Sequence, residues 1–339
     1  MKLRWGFVGA GRIVHRFMAG LLQHADAIPH AVFARKKDRA EAIAQRYGMP
    51  LVFDDFDAFL QCKEIDVVYI AVTHPYHREY ANKCLEAKIP VLCEKPMAPN
   101  AAQEQDMIDC ARKNDTFLME AMWTRAFPVT KQVLQWIDEG RIGKLVGLNG
   151  LFSIKAPDDA NDRLYMPSEA GGSLLDIGVY LVAYAHMIMG GAPVEMVSLA
   201  NFAGRPVDTD AGVVMRFDDD KIATLFMSLR SEGRDAITIY GTDGMIEVFE
   251  DFWRPRHARL TYSGGIINFD CPPVDEDAVY GSSVSFKGEG YQYEVAHVHE
   301  CLEKGLKESP LITLEESLKI IQTCDALRAL WGEKYPFEE

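Results

Sequence analysis

Leu3-Arg4-Trp5-Gly6-Phe7-Val8-Gly9-Ala10-Gly11-Arg12-Ile13-Val14 is the stretch that decides the fold. Leu3–Val8 reads as a short apolar strand, and two glycines follow at once. From Arg12 to His24 the spacing is helical, with Ile13, Phe17 and Leu21 on one stripe. Strand, glycine turn and helix start, in that order, make a phosphate cradle. Gly9 permits the tight turn and Gly11 leaves the backbone bare for a pyrophosphate. The helix start at Arg12 and Ile13 offers unpaired N–H groups and a positive dipole. Val14 stands where a third small residue is usual, which bears on helix–strand packing more than on phosphate contact.

Outward from that turn the alternation continues. His30–Ala34 reads as a strand, Asp38–Tyr47 as an Ala-rich helix and Asp54–Gln61 as a short helix. Asp66–Val72 (DVVYIAV) is the unbroken apolar run of a strand buried on both faces. Tyr76–Ala87 is helical, Pro90–Cys93 a strand, Ala101–Asn114 a helix and Thr116–Glu120 a strand. This order implies an α/β domain, a doubly wound parallel sheet, over residues 1–122. After Ala121 the character changes. Phe127–Glu139 is one more helix, ended by Gly140. Lys144–Lys155, Glu195–Phe202, Ala211–Phe217, Ile222–Ser228, Ala236–Tyr240 and Met245–Phe249 then read as strands. Asp218-Asp219-Asp220 and Thr242-Asp243-Gly244 are hairpin signals, and the acidic triplet reads as a solvated turn rather than a metal site. Ser173–Met189, Tyr291–Leu306 and Leu314–Leu330 are helical, and Tyr335–Glu339 reads as a loose tail. Residues 123–339 are therefore expected to form an α+β domain around a large open, mostly antiparallel sheet.

Composition narrows the function classes. A chain of 339 residues suits two domains at roughly 150 residues each. With 48% hydrophobic and 25% charged residues it is neither disordered nor a disulfide miniprotein. The formal charge of −14 opposes nucleic-acid phosphates and anionic membrane surfaces as partners. Seven cysteines, an odd number with no CxxC pair, read as reduced thiols. No apolar run is expected to reach the ~18 residues of a membrane span. The first residues read directly as a strand, so no leader is expected. The expected location is the cytoplasm.

The tip of the second strand discriminates between cofactors. An acidic residue there would bind the ribose 2′-hydroxyl of NAD. This chain has Ala34-Arg35-Lys36-Lys37 and then Arg39, with Asp38 too late to serve. Arg35 and Arg39 suit a 2′-phosphate, so NADP is the expected cofactor; the alternative is a solvated helix start. Cys93-Glu94-Lys95-Pro96 ends another strand, at the edge where open α/β sheets bind ligands. Pro96 stiffens the turn, and an ammonium at Lys95 could polarise a carbonyl or steady an alkoxide. The plainer alternative is a surface ion pair between Glu94 and Lys95.

Further on lies Gly171-Gly172-Ser173-Leu174-Leu175-Asp176-Ile177-Gly178-Val179-Tyr180. With the GAGR loop and the EKP tripeptide, this run resembles the glucose–fructose oxidoreductase / inositol dehydrogenase family over nearly the whole chain. Met119-Glu120-Ala121-Met122-Trp123-Thr124-Arg125-Ala126-Phe127-Pro128 is similar to the branch of dimeric dihydrodiol dehydrogenases and NADP-dependent D-xylose dehydrogenases. The resemblance implies a Rossmann domain, then a domain for substrate and oligomerisation. It also implies hydride transfer between NADP and a CH–OH group of a sugar or dihydrodiol. Its catalytic positions fall on Lys95, Asp176 and Tyr180. Many sugar dehydrogenases of the family have histidine at the place of Tyr180, which turns this chain towards the dihydrodiol and xylose branch. Asp176 and Tyr180, four apart on a helix, share one face. A phenol starts near pKa ~10 and needs a cation such as Lys95 to act as a base. Tyr184, one turn on, reads as a core aromatic.

Other candidates carry less. Thr73-His74-Pro75-Tyr76-His77 follows a strand at the cofactor crevice, and the family pattern sets a histidine at the place of His77 near the nicotinamide ribose. Contact and helix capping stay open for it. Glu94, Trp123 and Arg125 join the expected cofactor contacts, against packing for the latter two. Arg163 and Tyr165 could reach a polyhydroxylated small-molecule substrate. His297 and His299 diverge on a helix, so no metal is expected. The contrasting reading is a non-catalytic NADP-binding sensor on the same fold. A sheet with one uncovered face predicts a homodimer.

Overall fold

The opening strand lies third in a six-stranded sheet of the computed structural model, which describes residues 1–249, 251–271 and 288–338. The chain runs β1 (Leu3–Val8), α1 (Arg12–Leu21), β2 (Ala27–Phe33), α2 (Lys37–Tyr47), β3 (Leu51–Phe53) and α3 (Phe56–Gln61). It continues through β4 (Val67–Ile70), α4 (His77–Glu86), β5 (Val91–Glu94), α5 (Ala101–Lys113) and β6 (Leu118–Ala121). The sheet order is β3-β2-β1-β4-β5-β6, and every pair is parallel. The order reverses between β1 and β4, which opens a crevice at the carboxyl ends of the strands. β4 is buried throughout, as its unbroken apolar run requires. Asp55 caps α3, accepting from the backbone N–H of Asp57 and Ala58. β3 is three residues long, too short to show a periodicity, and sequence reading passes over it.

The second unit begins with α6 (Pro128–Asp138) and β7 (Leu145–Ser153), and α7 (Val179–Met189) follows. Then come β8 (Glu195–Asn201), β9 (Asp210–Arg216), β10 (Ile222–Ser228), β11 (Ala236–Gly241), β12 (Gly244–Phe249), β13 (His257–Tyr262) and β14 (Gly265–Asp270). The chain ends with α8 (Tyr291–Glu303) and α9 (Leu314–Trp331). The eight-stranded order is β14-β13-β12-β11-β7-β10-β9-β8, antiparallel except for β7 with β10. The Asp218–Asp220 turn joins β9 to β10, with Asp219 and Asp220 at φ +59° and +58°. That matches the paired left-handed residues of a tight hairpin, which aspartate tolerates. α7 packs on the inner face: a Cβ at Gly178 would stand 2.3 Å from Met227 Sδ, and one at Gly150 2.9 Å from Leu181 Cδ2. The outer face leaves Val146, Val197, Leu199, Val214, Ile222, Phe226 and Tyr240 exposed.

Four expectations are corrected. The boundary is not a single cut at 122/123, because residues 288–314 return to the first unit and 99–101 belong to the second. α8 packs on α1 there, where a Cβ at Gly20 would lie 2.4 Å from Tyr291 Cβ. β13 and β14 extend the sheet unforeseen, although HARLTY alternates polar and apolar residues; GIINFD has no such alternation. The end of the chain is no loose tail: Tyr335 is buried, residues 336–338 form a helical turn, and Glu338 pairs with Arg328; Glu339 lies outside the described residues. Finally, the stretch Pro167–Met189 is long and apolar enough to cross a membrane, but 83% of its most apolar window is buried inside the protein, as in a core helix.

Candidate active site

In the first unit, Gly9 adopts φ +120°, and a Cβ there would stand 2.3 Å from the Ala71 carbonyl oxygen. Only glycine fits a turn held so close to the end of β4. Gly11 is the opposite case. Its backbone is extended and a Cβ would meet nothing within 4 Å. The space beside it is open, and Arg12 is exposed there while Ile13 is half-buried. No side chain caps α1, and no acidic residue lies in its first turn. That terminus fits an anion. Val14 is wholly buried, so the departure from a small residue is absorbed in packing.

Ala34 is buried at the tip of β2, and Arg35, Lys36, Lys37, Asp38 and Arg39 are exposed. Among the described residues no carboxylate pairs with Arg35, Lys36, Lys37 or Arg39. The Arg35 guanidinium lies 4.8 Å from the ring centre of Tyr76, in the turn His74–Tyr76 that Thr73 opens. Sequence reasoning misses Tyr76 as a contact. Its only signal is an aromatic in the HPYH run beside a crevice.

The EKP turn is held from three directions. His77 is wholly buried, and its Nδ1 and Nε2 each lie 3.1 Å from a carbonyl oxygen, those of Pro96 and Val72. The Met97 N–H donates to Glu120 Oε1 at 3.1 Å, and Cys93 Sγ donates to the Met97 carbonyl at 3.7 Å. Lys95, half-buried, precedes Pro96 through a cis peptide bond. Burial lowers His77 to about 4, so the ring is neutral near pH 7. The neutral ring carries one N–H, which donates to one of these two carbonyls, and both nitrogens face backbone, which gives it a bracing position rather than a face towards a ligand. His74 is buried beside it. Glu94 accepts from the Tyr69 hydroxyl, and burial raises its carboxyl. Trp123 and Arg125 are buried, and the Trp123 ring stacks flat on Tyr291 at 3.9 Å.

In the second unit, Arg163–Tyr165 forms one helical turn capped by Asp162. Arg163 donates to Asp176 Oδ1 at 2.8 Å, so two sequence-predicted residues meet. Tyr165 is largely buried under the Arg205 guanidinium, 4.5 Å from its ring centre; burial raises its hydroxyl. The helix expected over Ser173–Met189 instead opens with a π-turn, Leu174–Gly178, which contains Asp176. Such wider turns recur at functional sites. Tyr180 follows on α7, half-buried, its ring centre 5.9 Å from that of Phe152. Tyr184 is buried against Phe252, as expected of a core aromatic. Among the described residues no group of three or more His, Cys, Asp or Glu side chains could hold a metal ion.

Residues 3–122 match an oxidoreductase family with an NAD-binding Rossmann fold, and residues 130–247 match the GFO/IDH/MocA C-terminal domain. The chain is 33% identical to the trans-1,2-dihydrobenzene-1,2-diol dehydrogenase of Homo sapiens, over 99% of both chains. It is 32% identical to that of Xenopus tropicalis, over 99% of this chain and 100% of the other. Among solved structures, the 3-ketoreductase KijD10 from Actinomadura kijaniata, in complex with NADP and TDP-benzene, superposes with a TM-score of 0.82. It is 24% identical, covering 97% of this chain and 98% of that one. Levoglucosan dehydrogenase, in complex with NADH and levoglucosan, gives 0.84 at 19% identity over 99% of both chains.

Proposed function

The chain belongs to the GFO/IDH/MocA family of oxidoreductases, and on that premise we propose that it oxidises a CH–OH group of a dihydrodiol or sugar with NADP⁺ as hydride acceptor. The full-length likeness to trans-dihydrobenzenediol dehydrogenases carries the choice of substrate class. The unpaired cations at the β2 tip support NADP over NAD: Arg35, held by Tyr76, presents a guanidinium fork where a 2′-phosphate would lie. Gly9, Gly11 and the uncapped α1 terminus would hold the pyrophosphate. The bound nicotinamide supplies the hydride acceptor.

The protein's own groups do the rest. Tyr180 takes the hydroxyl proton of the substrate as the C–H bond breaks. The Lys95 ammonium favours the phenolate form of Tyr180 and steadies the developing alkoxide. Asp176, oriented by Arg163, accepts from a neighbouring hydroxyl of the substrate. Work within a homodimer in the cytoplasm is part of this proposal. Among the described residues no cysteine forms a disulfide, which suits a reducing compartment. The deciding experiment is a panel of dihydrodiols and aldoses with NADP⁺ and NAD⁺, followed by reduced-cofactor absorbance. Turnover of a dihydrodiol or aldose with NADP⁺ is expected. Tight cofactor binding with no turnover of any alcohol would favour the sensor reading instead.

A further inference from the structure

The turn that carries Asp176 and Tyr180 is supported from behind by a residue outside every motif named above. Asp208, on the loop before β9, is wholly buried. Its Oδ2 accepts from the Ser173 hydroxyl and from the Leu174 N–H at 2.9 Å, and its carbonyl accepts from the Ser173 N–H at 2.9 Å. One side chain thus closes the opening turn of the helix whose next residues are Leu175 and Asp176. Close approach explains the two glycines beside it, one against Asp208 and the other against the Leu164 backbone. A Cβ at Gly172, at φ +118°, would stand 2.1 Å from Asp208 Oδ1; a Cβ at Gly171 would stand 2.6 Å from the Leu164 carbonyl oxygen.

Behind Asp208 comes the end of the chain. Its N–H donates to Glu333 Oε1 at 3.2 Å, and Glu333 is itself buried. The buried Tyr335 hydroxyl donates to the Gly171 carbonyl at 2.7 Å. The segment is fastened by Arg328, which donates to both oxygens of Glu338 and to Asp325. Asp208 Oδ1 and Glu333 Oε2 are both buried without a hydrogen-bond partner.

We propose that Asp208 is the positioning residue of the Asp176–Tyr180 turn, and that Glu333 holds it there from the C-terminal segment so long as the two buried carboxyls are not both ionised. This rests on the dehydrogenase reading of Asp176 and Tyr180. Two ionised carboxylates cannot share this pocket, because each is desolvated and repels the other. Both carboxyls are accordingly raised, by burial and, for Glu333, by Asp208 itself. The other groups around the pair do not remove the repulsion. Arg328 is engaged by Asp325 and Glu338, Glu338 adds negative charge, and Tyr335 stays neutral, its hydroxyl raised by burial. On the loop itself, the carboxyl of Asp210 is occupied by Arg230, Ser228 and Thr209. Ionisation of the second carboxyl sets two desolvated charges against each other, which loosens the segment from Asp208 and the turn from its support.

The test compares the unaltered chain with Glu333→Gln and Asp208→Asn between pH 6 and pH 9. The amide introduced by Glu333→Gln cannot ionise. The ratio of that variant's kcat to that of the unaltered chain should therefore rise with pH by on the order of tenfold, within the ~10²-fold that misplacement of a reacting group can cost. Asp208→Asn should lower kcat across the range while cofactor titration is unchanged. The second readout is hydrogen exchange of the backbone over residues 172–180, which needs no substrate. Exchange there should be faster in the unaltered chain than in Glu333→Gln at pH 9, and equal in the two at pH 6. A flat exchange difference across pH overturns the proposal. Should no alcohol be oxidised at all, the dehydrogenase reading falls, and exchange alone still judges whether the pair supports the turn.

Discussion

In the proposed reading, Arg35 is the side chain that selects the cofactor. It is exposed, unpaired with any described carboxylate, and laid against Tyr76, so its fork is oriented before any ligand arrives. Arg35→Asp should weaken NADP binding by at least ~1.4 kcal/mol, a tenfold change in Kd, and narrow the gap to NAD. Fluorescence titration of both cofactors checks this, and equal affinities in the unaltered chain would refute the selection. Chemistry is separable from binding at the residue scale as well. Lys95→Met and Tyr180→Phe should each lower kcat by ~10²–10⁴-fold, the range for a general base or a fixed charge at the reacting oxygen. Cofactor affinity should persist, because the glycine turn is untouched. Tyr184→Phe, buried against Phe252, should be far milder. Near-normal turnover in Tyr180→Phe would return that tyrosine to a packing role.

At the scale of elements, the strand–turn–helix at Gly9 and the apolar DVVYIAV run are legible because their patterns are local. The braces are not, because they join residues far apart in sequence: His77 to Pro96, Met97 to Glu120, Asp208 to Ser173, Glu333 to Asp208. The C-terminal helical turn escapes sequence reading for the same reason, since its stability comes from Arg328 and from burial of Tyr335 rather than from its own composition. His77 makes such a brace measurable. It joins the EKP turn to the end of β4, and burial lowers it to about 4, below the ordinary value of 6.5. A depressed folded value means that the unfolded chain takes up the proton first. The stabilisation is therefore complete above pH 6.5 and is lost as pH falls towards 4, by on the order of 3 kcal/mol in all. His77→Gln should flatten that part of the stability curve. Denaturant melts of both proteins at pH 7, 6 and 5 check it, and parallel curves would remove His77 from the account.

At the scale of the whole molecule, the outer face of the eight-stranded sheet remains to be satisfied. Register lines up Leu199, Gly212, Phe226 and Leu151 across four strands, and Val197, Val214, Thr224 and Asn149 in the adjacent row. Leu199 is 85% exposed and Phe226 42%. Asn149 and Thr224 hydrogen-bond to each other at 2.8 Å, so the polar pair in this row is satisfied within the chain. A flat surface that mixes apolar rows with self-paired polar groups suits a second copy of itself, since a two-fold axis would set each row against its twin. A specific interface of this kind buries roughly 1,600 Å² in total. The chain should therefore run as a dimer of 38.0 kDa protomers in light scattering at micromolar concentration. Phe226→Asp would place a buried charge near its own symmetry mate, a cost of several kcal/mol, and should yield a monomer that still binds cofactor. A monomeric mass for the unaltered protein would show that this face is simply tolerated in water.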